Sequence, residues 1–312
     1  MNDGGGFVSK PAGFAAPNGS RLGWKAWLED LARTGDDMRY FSVSKLGISA
    51  LAGLVIALTV VNRPLTAPLP NTIDLADMTW VEVRSALDHG YTTVIVPAGG
   101  IEQNGPHMVL GKHDYIVRHT AERIAAQLGH TLVAPVVSYV PEGDYDSPTG
   151  HMRFAGTIGV PEAVYASMIE GIARSLKAGG FRTICLIADH GGSQAPQAEV
   201  AARLNAEWAH KGVQVIHVDA YYSDAAQVAL LLRQGETRSD IGEHASLIDT
   251  SELMATHPQG VDLKRLGDLP FTLQPTGIIG DPAKSSAERG KELLEIKIQA
   301  AVQQIRSQMP AH

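Results

Sequence analysis

From Asn71 onward, short apolar runs alternate with stretches whose apolar positions recur at helical spacing. Thr92–Pro97 is a β-branched run soon followed by Gly99-Gly100, and Thr131–Tyr139, Phe181–Ala188 and Val213–Ala220 repeat the type. Between them, Asp114–Leu128 carries Ile116, Val117, Ile124 and Leu128 at helical spacing and stops at Gly129. Glu162–Leu176 opens behind Pro161 and closes on Gly179-Gly180, and Ala195–His210 is alanine-rich. Strands that are apolar throughout are buried on both faces, which requires helices on each side of a parallel sheet. The pattern predicts an α/β fold, a three-layer αβα sandwich with a mostly parallel sheet.

The N-terminus reads differently. Residues 1–37 are glycine-rich, mixed in charge and without periodicity, an irregular extension. A basic start, Met38-Arg-Tyr-Phe-Ser-Val-Ser-Lys45, then leads into sixteen uncharged residues, Leu46–Val61, and a small-residue exit ending at Ala67. That order describes a secretory signal, with Met38 as its start, or a short membrane anchor. Residues 38–70 are therefore expected to engage a membrane or the export machinery, so that the body, residues 71–312, works outside the cytoplasm.

Composition narrows the chemistry. The net charge of −7 argues against nucleic acid as the main partner, since phosphate binding wants a basic face. One cysteine, Cys185, allows neither an internal disulfide nor a cysteine zinc cage, so any metal falls to carboxylates and the 12 histidines.

In parallel sheets the ligand site lies beyond the carboxyl ends of the strands. The reactive side chains concentrate there. Gly99-Gly-Ile-Glu-Gln-Asn-Gly-Pro-His-Met-Val-Leu-Gly-Lys-His-Asp114 follows the first strand, and Asp189-His-Gly-Gly-Ser193 follows the third. Gly242-Glu-His-Ala-Ser-Leu-Ile-Asp249 comes after the fourth. Each segment supplies a histidine and a carboxylate, a donor set suited to zinc or manganese.

With Gly277-Ile-Ile-Gly-Asp-Pro-Ala283 and Ser286-Ala-Glu-Arg-Gly290, these segments resemble the creatininase (creatinine amidohydrolase) family from about residue 72 onward. The resemblance implies a creatininase-like fold and a metal-dependent hydrolase of cyclic amides, formamides or peptide-like bonds, assembled as a homo-oligomer. It places Glu102 and His190 at metal-binding positions. Asn104 stands where the family has a metal-binding histidine, and is expected in the substrate pocket. The family's bridging aspartate falls on His113, or on Asp114 with a one-residue slip. Asp249 falls at a ligand glutamate. Glu243 and His244 match the family's Glu-His pair, whose histidine shuttles the proton, and His151 lies in a segment like the substrate loop.

Two imidazoles and two carboxylates (Glu102, His113, His190 and Asp249) make a plausible site for one zinc ion, with manganese as the alternative and one metal expected over two. The substrate is expected to be a small-molecule or peptide-like amide, its C–N bond cleaved by metal-activated water. The departures at 104 and 113 leave a second reading open, a degenerate member acting as a binding or assembly protein with a damaged metal site.

Overall fold

The structure is a computed structural model that describes residues 68–309 apart from 271, all within the compact unit Pro64–His312. The extension 1–37 and the apolar segment Leu46–Val61 lie outside the described residues. Strands β1 Thr93–Ala98, β2 Thr131–Val133, β3 Thr183–Ala188 and β4 Gln214–His217 pair in parallel in the order β2-β1-β3-β4. β1 and β3 run in register from Thr93↔Thr183 to Ala98↔Ala188, so their carboxyl ends leave the sheet side by side.

The principal helices are α1 Trp80–Asp88, α2 Lys112–Leu128, α3 Glu162–Gly179 and α4 Gln194–Glu207, then α5 Ala225–Arg233, α6 Leu247–Thr256 and α7 Ala287–Gln308. The period of two along each strand sorts them into layers. Val94, Val96, Ile184, Leu186 and Val215 pack with Tyr165, Ile169, Val200 and Leu204 from α3 and α4. Ile95, Cys185, Ile187 and Ile216 pack against Ile116 and Ile124 of α2 and against Leu294, Ile298 and Val302 of α7. Each fully buried aliphatic side chain contributes about 1.5–3 kcal/mol, so strands apolar at every position hold both helical layers at once. The three-layer αβα sandwich is present. Cys185 lies inside it, with its thiol pushed up to about 12 by burial, and is inert.

Two of the boundaries that differ from the sequence pattern shape the site; the fourth strand is also shorter than expected, Gln214–His217, and gives way to a helical turn at Asp219–Tyr222. The second strand ends at Val133 rather than Tyr139, because Pro135 offers no N–H to the ladder. The chain beyond it keeps only isolated bridges, Ala98↔Val137 and Val140↔Gly159, and so turns toward the carboxyl edge. Helix α2 begins at Lys112 rather than Asp114, which puts Lys112 and His113 in its first turn. Asp114 Oδ1 accepts the Gly100 N–H at 3.0 Å and ties this turn to the end of β1. A Cβ at Gly99 would stand 1.9 Å from the same oxygen, so the approach requires glycine.

Candidate metal centre

Four connections from the carboxyl edge build a cavity of about 730 Å³, lined by Glu102, Lys112, Glu142, His151, His190, Glu243, His244 and Asp249 among others. Glu102 comes from the loop after β1, His190 from the turn after β3, and Glu142 and His151 from the chain beyond β2, His151 in the 3₁₀ turn Gly150–Arg153. Gly192 lets the β3 turn close on this chain, since a Cβ there would meet the Pro141 carbonyl at 2.3 Å.

Among the described residues, one ligand atom from each of Glu102, Glu142, His151 and His190 lies within 4.8 Å of every other. Glu102 Oε2 is 3.3 Å from both His151 Nε2 and His190 Nε2, and His190 Nε2 is 3.1 Å from Glu142 Oε2. Glu102 Oε2 and both Glu142 oxygens are buried with no aligned hydrogen-bond donor. Buried oxygens without donors are uncommon, and here Glu102 Oε2 and Glu142 Oε2 face imidazole nitrogens. A tetrahedral ion bound at ~2.0 Å separates its donors by roughly 3.3 Å. Two carboxylates and two imidazoles at these separations fit zinc or manganese.

The charges agree with such a role. Burial pushes Glu142 up to about 7, with His190 offsetting part of the rise and Glu102 adding to it. Burial works against the His190 cation, yet Glu102 and Glu142 raise it to about 9. Burial also works against the Glu102 anion, but His113, His190 and Lys112 hold its carboxyl well below the ordinary value. His151 is lowered by burial, and His244 is held down to about 4 by burial and the Lys112 charge, so its ring is neutral at pH 7.

The remaining residues singled out in the sequence are held in other ways. Both ring nitrogens of His113 face carboxylates, Nδ1 with Asp189 Oδ2 at 2.8 Å and Nε2 with Glu102 Oε1 at 2.7 Å. Asp249 Oδ2 accepts the Ala245 N–H at 2.7 Å and pairs with Lys112 Nζ at 3.1 Å. Asp114 is engaged by Gly100. Asn104 is fully buried and turned into its own loop, its Nδ2 donating to the Glu102, Val109 and Leu110 carbonyls, and it is not among the cavity-lining residues. Glu243 is exposed at the cavity wall. His244 stands with Nδ1 3.8 Å from Glu102 Oε1 and Nε2 2.9 Å from Gln103 Nε2, while the same Gln103 nitrogen lies 3.0 Å from His151 Nδ1.

Sequence reasoning passed over Glu142, although Pro141-Glu-Gly143 follows the second strand at the edge where the other donors were sought. Lys112 was missed too, for an ammonium is not a ligand and the eye passes to the histidine beside it.

The sequence profile of the family described as Creatininase: Creatinine amidohydrolase matches residues 76–305. The creatinine amidohydrolase of Pseudomonas putida is 25% identical over 261 residues, covering 78% of this chain and 99% of that one. The mycofactocin precursor peptide peptidase of Mycolicibacterium smegmatis is 27% identical over 228 residues, 70% of this chain and 85% of its own. A solved structure described as Creatininase Mn matches with a TM-score of 0.63 at 26% identity, covering 77% of this chain and 100% of that one.

Proposed function

This chain belongs to the creatininase family, and from that premise we propose that it is a metal-dependent amidohydrolase of a small-molecule or peptide-like amide, holding one zinc or manganese ion. The carrying observation is the convergence of Glu102, Glu142, His151 and His190, with three buried carboxylate oxygens lacking aligned donors, in one cavity. These four residues would hold the metal, which supplies a Lewis acid that polarises a carbonyl and acidifies water. The relatives named above, a creatinine amidohydrolase and a peptide peptidase, support a C–N bond as the target.

The chain's own groups divide the remaining work. His244, neutral at pH 7 and 3.8 Å from Glu102 Oε1, is in the form that accepts a proton and can hand it on. Glu243, next to His244 in the chain, stands exposed on the cavity wall. Gln103 reaches both His151 and His244 and fixes the two rings relative to each other. Asp189 orients His113 against Glu102 from behind.

The test is metal content of the purified protein, followed by hydrolysis of a panel of cyclic amides, formamides and short peptides before and after chelation. Activity lost on chelation and restored by zinc or manganese is expected, and activity that survives metal removal overturns the reading. The pairing of Asp249 with Lys112 and the inward turn of Asn104 favour a second reading, a binding or assembly protein with a damaged metal site. A metal-replete preparation that retains no metal and cleaves nothing would select it.

The order of charge and hydropathy in residues 38–70 supports export, with the body tethered or released. A reporter fused behind this segment should be active on the far side of the membrane, and activity confined to the cytoplasm refutes it. Family resemblance is the support for a homo-oligomer, to be checked by light scattering.

A further inference from the structure

Lys112 lies in the first turn of α2, fully buried, among the residues lining the 730 Å³ cavity. Its Nζ is 3.1 Å from Asp249 Oδ2 and 3.6 Å from Glu102 Oε1. His113 Nε2 meets that same Glu102 oxygen at 2.7 Å. Two carboxylates, from the β1 loop and α6, therefore flank one ammonium, and the His113 imidazole of α2 shares the Glu102 oxygen with it. That donor set is one a divalent ion takes. The Glu102 carboxylate divides the cavity between two cation positions. Its Oε2 faces His151 and His190, and its Oε1 faces Lys112 and His113.

We propose that Lys112 is a built-in cation filling a second metal position, so that the centre accepts a single ion on the Oε2 side of Glu102. Resting on the metal-hydrolase reading above, the proposal adds what limits the site to one metal. A divalent ion and an ammonium within a few ångströms repel strongly where water is excluded, so the two cannot share Glu102 Oε1 and Asp249. An ordinary buried ion pair would neutralise Asp249 equally well, but its removal would create no new capacity for metal. Stoichiometry separates the two roles.

The experiment is titration of the full chain with Mn²⁺ and with Zn²⁺, read by calorimetry and by metal analysis after desalting. Wild type should saturate at one equivalent. Lys112→Ala, purified with metal present, should bind a second, and added metal should raise its melting temperature more than it raises that of wild type. Lys112→Met keeps most of the side-chain volume and should behave alike, whereas adding Asp249→Asn to it should return the count to one. Two equivalents in wild type, or one in both Lys112 variants, overturns the proposal and leaves the hydrolase reading standing. Failure of both variants to fold in saturating metal also overturns it, because the metal should replace the missing charge. No binding by any form sinks both readings together.

Discussion

At the Oε2 side of Glu102, two imidazoles and the Glu142 carboxylate face one another with three buried oxygens lacking aligned donors. On the opposite side, Asp189 accepts from His113 at 2.8 Å, from Lys297 Nζ at 2.7 Å and from the Tyr221 hydroxyl at 3.1 Å. Lys297 continues to Glu252 at 3.1 Å, and Glu252 accepts from Gln227 of α5 at 2.7 Å. Both regions are made of buried histidines and carboxylates. One has acceptors to spare, while in the other the acidic oxygens meet positive or donor groups, which hold Asp189 well below its ordinary pKa and Lys297 well above despite the opposing pull of burial. A count of histidines and carboxylates cannot separate a ligand shell from its support. What separates them is whether the positive charge is the fixed ammonium of Lys297 or the imidazole of His190, which can give up its proton to make room for an ion.

The contrast breaks first at His190. Replacing it with alanine should cost metal affinity more than the ~10–100-fold that loss of an outer partner costs, and abolish hydrolysis with it. Calorimetric titration checks this, and a variant that binds as tightly as wild type would place the ion elsewhere.

Lys297→Met should act on the other region, leaving Asp189 and Glu252 buried without their cation. A loss of about 3–5 kcal/mol in urea denaturation is expected, with metal stoichiometry unchanged in the folded fraction. Loss of metal at full stability would show that the support is part of the shell.

Acidity sharpens the comparison. Glu142 at about 7 and His190 at about 9 both lie above their ordinary values of 4.5 and 6.5. The metal-free native state therefore binds more protons than the unfolded chain as these groups titrate, and their stabilising contribution falls as pH rises. Below 6.5, His107 and His244, both held near 4 by burial above all, act in the opposite sense. The expected result is a melting temperature of metal-free protein that declines from pH 6.5 to 9, while metal affinity rises because binding expels protons. A metal-free melting temperature that increases over this window contradicts the assignment.

The smallest effect belongs to Asp114. Removing the Gly100 bond with Asp114→Ala should cost about 1 kcal/mol and leave the metal count as it was. A lower count would make Asp114 a ligand and return the bridge to the other register.

Much of the fold was legible because burial on both faces leaves a plain trace in strands such as Thr183–Ala188 and in the helices between them. The edge holding the site was legible for a topological reason, and it led to Glu102 and His190. The second strand was overextended because an apolar run reads alike whether or not Pro135 interrupts its ladder. Glu142 was passed over for the same reason, since only the turn beyond that short strand carries it to the cavity. His113 and Asp249 have the residue types of ligands, but their partners, Asp189 and Lys112, lie 76 and 137 positions away along the chain.

The layers of this protein, the edge where its donors gather and the kind of donors found there are written in the chain itself. These follow from periodicity and residue type, which are local properties of the chain. Folding alone brings some buried carboxylates against imidazoles that can be deprotonated, as at Glu102 Oε2 and Glu142, and others against the fixed ammonium groups of Lys112 and Lys297. That depends on distances of about 3 Å between segments far apart in sequence. In a medium from which water is excluded, those distances set whether a charge is satisfied or waiting for an ion.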